Sequence, residues 1–410
     1  MLRALLQLRL LAPLLFGALL VYGASDVGSE VAYDRHATST QSVATTTAPT
    51  TPVVPSGPPP IVVTHLDTPE PLKAVYMTSC IASGKSLRAP LTKLIDTTEL
   101  NAVIIDIKDY TGMISFETND PAFVTNSKGC HIPDIKEYIA ELHAKHIYVI
   151  GRVTVMQDTV YPKSHPDAAV KRKSDGGIWK DKKGLTFIDP GATEYWEHMV
   201  NIGKVSHAVG FDEINYDYIR FPSDGNMTDI LFSRTGTTSK PAMMRKFYTY
   251  LGREMHKEGI PISADLFGMT TTNTDDLNIG QVLEDALKNF DYVAPMVYPS
   301  HYPPNFNGWK DPNMVPYALI KFVMTRAVER ANALEQKESG FVVSTSTPKF
   351  VPTGKYAKRL RPWLQDFDYG KTYTEADVLA QIKGTYDSEL TSWMMWDPSN
   401  KYTPSAFKVE

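Results

Sequence analysis

The stretch Gly210–Pro222, GFDEINYDYIRFP, sets Asp212, Glu213, Asn215, Asp217 and Arg220 among β-branched and aromatic neighbours. Acids in a strand that reads as buried are costly unless they are paired or used. Along an extended chain Glu213, Asn215 and Asp217 share one face, and Ile214 and Tyr216 the other. Four residues of strand separate Glu213 from Asp217 by ~13 Å. With Asp217 at the strand end, Glu213 lies deeper, where Lys108 or Arg152 would serve as its partner. A second acid, Asp265, closes the apolar run PISADLFG (Pro261–Gly268). Two carboxyl groups ~5–5.5 Å apart are the apparatus of a retaining glycosidase: one attacks the anomeric carbon, the other protonates the leaving oxygen. The acid needs a raised pKa, which a neighbouring carboxylate supplies.

Other apolar runs also finish polar, with Asp106 and Lys108, Arg152, Arg220, Tyr298 and His301, Asp366, and Trp396. These are candidate substrate-binding groups, together with Asn215. Tyr110, Tyr298, Tyr302, Trp309 and Trp396 are suited to stacking on sugar rings. Each residue also has a structural use. Asp217 and Arg220 would make a loop-fixing ion pair, Asp265 a helix cap, Lys108 and Asp106 a buried pair, His301 and Tyr302 a Pro-rich loop, and Trp396 core.

These residues need a scaffold that brings strand ends together. Eight apolar runs recur: Lys73–Ser79, Ala102–Asp109, Ile147–Val155, Gly210–Pro222, Pro261–Gly268, Tyr292–Ser300, Arg361–Phe367 and Leu390–Pro398. Between them lie helix-like segments, at 132–146, 193–207, 242–258, 276–289 and 374–388. In the first of these, Ile132, Ile135, Ile139 and Leu142 recur at helical spacing. Near-continuous apolar strands alternating with helices imply a parallel sheet, and eight such units imply a (β/α)8 TIM barrel with its site at the C-terminal strand ends. In Val328–Gly354 the run GFVVSTS competes with RPWLQDF (Arg361–Phe367) as the seventh strand; the second is preferred because it leads into a helix.

A doubly wound sheet binding a nucleotide is disfavoured. ASGKS (Ala82–Ser86) resembles the tail of a P-loop, but Ser79 stands where its first glycine belongs. With a net charge of −4 and no evident basic block, the chain shows no footprint for nucleic acid. Two cysteines, Cys80 and Cys130, exclude a cysteine-rich zinc site and allow one disulfide. His143 and His146, at i and i+3 near a helix end, read as surface residues. No metal or cofactor is expected. A metal-dependent polysaccharide deacetylase would need an Asp and a closely spaced His pair at strand ends, where only His301 is found.

Ahead of the barrel, Arg3 and Arg9 accompany a leucine-rich run from Leu10 to Val21, followed by Gly23–Ser25. This is the layout of a signal peptide or a short membrane anchor over residues 1–24. Residues 25–71, rich in Thr, Pro and Ser, read as a disordered linker, and 72–408 as the barrel. The expected location is secreted or in the cell envelope, with a possible membrane tether and a permissible Cys80–Cys130 bridge. Asn226–Thr228, NMT, fits a glycosylation acceptor.

The fourth-strand motif resembles a bacterial family of glycoside-hydrolase TIM barrels of unassigned substrate. SADLFGMTTTNTDDLNIGQ (Ser263–Gln281), APMVYPSHY (Ala294–Tyr302), RPWLQDF and WMMWDPSNKYT (Trp393–Thr403) look like that family's blocks in the same order. The resemblance spans Leu72–Phe407. That family is in turn similar to α-amylase-like and endo-galactosaminidase-like barrels, whose fourth strand ends in the nucleophilic Asp. The resemblance assigns that role to Asp217. Their acid stands at the end of the fifth strand, usually as Glu; here the place holds Asp265, and Asp366 is the substitute acid. The expected function is an exported glycosidase that cleaves a polysaccharide or oligosaccharide. The alternative is a non-catalytic carbohydrate-binding barrel of the cell envelope, which has no need for two acids at close range.

Overall fold

A computed structural model describes residues 61–127, 129–341 and 350–409. Its centre is a closed barrel of eight parallel strands: β1 (Lys73–Met77), β2 (Ala102–Lys108), β3 (Tyr148–Thr154), β4 (Glu213–Asp217), β5 (Ile262–Phe267), β6 (Tyr292–Met296), β7 (Trp363–Gln365) and β8 (Trp393–Trp396). Each strand pairs with the next, and β8 closes on β1 through Ala74↔Met394. Each of the eight expected apolar runs contains one of these strands.

Strand alternation splits the core in two. Ala74, Tyr76, Ala102, Ile104, Tyr148, Ile150, Ala294, Trp363 and Met394 fill the barrel interior. Val75, Val103, Val149, Ile214, Tyr216, Ile262, Val293 and Met395 face the outer ring of helices. Those helices are α1 (Lys85–Asp96), α2 (Ile135–His143), α3 (Thr193–Ala208), α4 (Lys240–Lys257), α5 (Leu283–Asn289), α6 (Pro316–Glu338) and α7 (Glu375–Tyr386). α6 was not anticipated, although Leu319, Ile320, Val323, Met324, Ala327 and Ala331 mark its buried stripe. Val328–Gly354, the stretch that holds the competing GFVVSTS run, begins with the last turns of α6. Most of its GFVVSTS run lies outside the described residues, and β7 is formed by Trp363–Gln365.

The boundary expected at residue 72 moves. Residues 64–68, assigned to the linker, lie along the N-terminal end of the barrel. The Leu66 amide donates to Asp212 Oδ1 at 2.7 Å, and Thr68 Oγ1 lies 2.9 Å from Tyr148 Oη. Asp212 also accepts from the Val149 amide and pairs with His143 Nε2 at 3.0 Å. His143 is therefore buried, contrary to its surface reading, whereas His146 stays exposed. The leader and most of the linker, residues 1–60, lie outside the described residues. Among those described, no helix is long and apolar enough to cross a membrane.

Cys80, in a short helix (Ser79–Ala82) after β1, is bridged to Cys130 in the β2–α2 connection, 50 residues on. A loop of that length predicts a loss of about 4 kcal/mol when both cysteines become serine. Denaturant melts of oxidised protein and of the double serine variant check this.

Candidate active site

The C-terminal ends of β3, β4, β5, β6 and β8 enclose a cavity of about 380 Å³, of a size suited to small ligands. Arg152, Asp217, Arg220, Asp265, Tyr298, His301, Tyr302 and Trp396 line it.

Arg152, inward on β3, organises the polar floor. Its Nη1 donates to Asp106 Oδ1 at 2.7 Å, its Nη2 donates to Asp217 Oδ2, and its Nε lies 3.8 Å from Asp265 Oδ2. One guanidinium thus faces three carboxyl groups, from β2, β4 and β5. Such a set is tolerable in a barrel interior only because opposite charge and hydrogen bonds offset the loss of water. Tyr76 Oη donates to the other oxygen of Asp106. Burial raises the Asp106 pKa from its ordinary value, with Arg152 and Tyr76 opposing.

Asp217 ends β4 and is 4% exposed. Its Oδ1 accepts the amide of Tyr218, a residue in the left-handed region at φ 53°. Non-glycine residues adopt that conformation at a cost, which tends to persist at functional sites. On β5, Asn215↔Ser263 and Tyr216↔Ala264 are in register, so Asp265 follows directly beside Asp217. Asp265 Oδ1 accepts from Asn215 Nδ2 at 2.9 Å and from Trp363 Nε1 at 2.8 Å. Its carboxyl pKa is pushed up to about 8, first by burial and then by the charge of Asp217, against the pull of Arg152, Asn215 and Trp363. Asp265 is therefore a neutral acid at pH 7, with Oδ2 free of the two donors that fix Oδ1. Because the folded-state value is raised, the stability tied to this proton is complete below the ordinary aspartate range. It is lost as pH rises through about 8.

Aromatic groups wall the cavity. Trp396 stacks on Tyr76 with centroids 3.9 Å apart and meets Trp363 edge-on at 5.5 Å. Its role as core and its place in the cavity lining coexist. Tyr298 packs edge-on against His301 and Phe367. Gly268, after β5, is fixed by close approach: a Cβ there would sit 2.4 Å from the Met296 carbonyl oxygen and 2.7 Å from Tyr302 Oη.

Several expected site residues stand elsewhere. A register shift on β2 pairs Lys108 with the outward Val153, so Lys108 leaves the interior face. Fully buried, it donates to the Thr154 carbonyl at 2.6 Å and pairs with Asp158 Oδ2 at 3.0 Å. Asp366 is held by Thr403, whose amide and Oγ1 donate to its two oxygens at 2.7 and 2.8 Å. Its pKa is pushed up to about 6, chiefly by burial, but it does not line the cavity, so Asp366 is poorly placed as the substitute acid. Glu213 pairs with neither Lys108 nor Arg152. It meets Arg361 Nη1 at 3.0 Å, deep in the barrel. Arg220 makes no ion pair with Asp217 within 4.0 Å. Trp309 packs on Phe322 of α6, away from the cavity, and Tyr110 is half exposed. Sequence reasoning missed Tyr76 and Trp363; strand alternation within KAVYM and WLQ was the signal that each points inward.

A closed eight-stranded parallel barrel with paired acids at its C-terminal mouth has the architecture of TIM-barrel glycosidases. Residues 74–402 match a family described as "Putative glycosyl hydrolase domain", and the chain belongs to that family. Among solved structures it is similar to a hypothetical protein from Ruminiclostridium thermocellum, with 28% identity and a TM-score of 0.41 over 50% of this chain and 98% of that one. It is also similar to the PgaB (BpsB) glycoside hydrolase domain from Bordetella bronchiseptica, with 12% identity and a TM-score of 0.54 over 80% of this chain and 94% of that one. The second likeness shows a shared fold. No curated protein matches the chain.

Proposed function

We propose that the chain is an exported glycosidase that cleaves a polysaccharide with retention of anomeric configuration. Asp217 is the nucleophile and Asp265 the acid/base. The observation that carries this reading is the in-register pair itself. One carboxylate is matched to a guanidinium, and beside it stands a carboxylic acid whose proton is kept to about pH 8. Adjacent parallel strands lie ~4.8 Å apart, a spacing that suits direct attack better than attack through an interposed water. Tyr298, Trp396 and His301 line the cavity and give it aromatic surface suited to a sugar. The basic and apolar leader, the Thr/Pro-rich stretch after it and the Cys80–Cys130 bridge support action in an oxidising, extracytoplasmic compartment.

The test is reducing-sugar release from a panel of bacterial exopolysaccharides and α-glucans, with the product anomer read by proton NMR at early times. The expected product keeps the substrate's configuration, and kcat/KM falls as pH rises through about 8, where Asp265 loses its proton. An inverted product would remove Asp217 as nucleophile. Retention of a glycan without any cleavage would favour a binding barrel.

A further inference from the structure

Arg220, just past β4, lines the same cavity and is only 8% exposed. Among the described residues no carboxylate lies within 4.0 Å of its guanidinium; Asp217, Asp224 and Asp181 act on it only from farther off. Its Nη1 donates to the Phe221 carbonyl at 3.0 Å and to Ser223 Oγ at 3.2 Å. Nε and Nη2 carry no protein hydrogen bond, yet neither is among the fully occluded orphan atoms. Those donors therefore remain reachable. The guanidinium carbon lies 4.7 Å from the Phe267 ring centroid and 5.3 Å from that of Tyr218. These rings provide attraction but accept no N–H bond in the fork plane. Arg152 contrasts with this, since it is already committed to Asp106 and Asp217.

A desolvated cation with a free planar fork is matched by an oxyanion, which takes two parallel N–H bonds. Resting on the glycosidase reading of this cavity, we propose that Arg220 binds an oxyanion carried by the substrate sugar, so that the enzyme acts on an acidic glycan in preference to a neutral one. A second feature near the cavity, a local basic cluster that corrects the reading of a chain without a basic block, points the same way. The insertion between β3 and α3 carries Lys171, Arg172, Lys173, Lys180, Lys182 and Lys183 within thirteen residues, against Asp175 and Asp181. Lys173, Lys180, Lys182 and Lys183 are exposed and have no carboxylate within 4.0 Å among the described residues. Trp179 of this insertion donates to the Asn226 carbonyl, in the loop that follows Arg220. An acidic polymer seated at Arg220 would continue along a basic rim.

The experiment uses glucuronic- and galacturonic-acid oligosaccharides, sulfated oligosaccharides, and the neutral counterparts made by carboxyl reduction or desulfation. For each pair kcat/KM is measured with wild type, Arg220→Gln and Arg220→Lys. Wild type is expected to favour one acidic member by roughly 10- to 100-fold, the range of a charge-assisted paired contact. Whether the carboxylate or the sulfate arm responds names the oxyanion. Arg220→Gln is expected to bring the acid-to-neutral ratio close to one, and Arg220→Lys to leave it between. A ratio within one variant cancels any general loss of folded enzyme. A neutral preference in wild type, or a ratio unmoved by both substitutions, would overturn the proposal while leaving the glycosidase standing. Calorimetric binding of the same oligosaccharides to full-length Asp217→Asn separates the two ideas. Binding of acidic members that Arg220→Gln abolishes, with no cleavage by wild type, would sustain the oxyanion site and defeat the hydrolase reading. Absence of both acidic binding and acidic cleavage would defeat the oxyanion site.

Discussion

Asp217→Asn loses activity by on the order of 10⁴-fold or more, about 5.5 kcal/mol of transition-state stabilisation. The fold survives the change, because the single Asn oxygen still accepts from one of the two donors, the Tyr218 amide or Arg152 Nη2, and Arg152 stays paired with Asp106. What disappears is the charge and the nucleophilic oxygen. Circular dichroism should match wild type and melting should show a cooperative transition, lower by the one lost contact of about 1.5–3 kcal/mol, while turnover of the best substrate collapses. Asp366→Asn provides the contrast, since its carboxyl serves Thr403 rather than the cavity; its rate should stay within about tenfold of wild type, the size of a positioning effect. Equal turnover by Asp217→Asn and wild type would remove Asp217 from the chemistry and leave Asp265 as the only acid in the cavity lining.

Arg152→Met has the second large effect, and it falls on stability as well as rate. Taking away one partner of a buried charge group leaves the others uncompensated, at about 3–5 kcal/mol. Here the stranded groups are Asp106, Asp217 and Asp265. Arg152 holds down the raised pKa values of Asp106 and Asp265, so without the guanidinium the proton affinity of these two rises further above the unfolded value. Stability tied to those protons is then complete at low pH and lost as pH climbs. The gap between variant and wild type should therefore be widest at pH 8 and narrow towards pH 5, as read from guanidinium chloride midpoints at both values. A gap independent of pH would mean that Arg152 matters mainly as bulk packed against Trp396 and Tyr76.

All eight strands were legible because strands buried on both faces must be apolar almost throughout, and few other segments here satisfy that. Asp217 and Asp265 were legible for the converse reason: an acid ending such a run is conspicuous. What escaped depends on registers and distances between elements far apart in the chain. One shift on β2 moved Lys108 from the interior to a pair with Asp158, and no local pattern announces it. Glu213 found Arg361, 148 residues away, and nothing local to either run announces that they meet. His143 looked like a surface residue at a helix end until Asp212, at the entrance to β4, came within 3.0 Å. α1 was obscured by Pro90 inside it.

The aromatic wall of the cavity is built where the last strand meets the first: Trp396 of β8 lies flat on Tyr76 of β1. Tyr76 lies on the first barrel strand to be synthesised and Trp396 on the last. A nascent chain therefore lacks both its ring closure and one side of the aromatic cavity wall until β8 has been made. A chain truncated before β8 lacks them for good. Closure of the ring and completion of the cavity wall are thus one event, so no shorter piece of the barrel presents an assembled cavity.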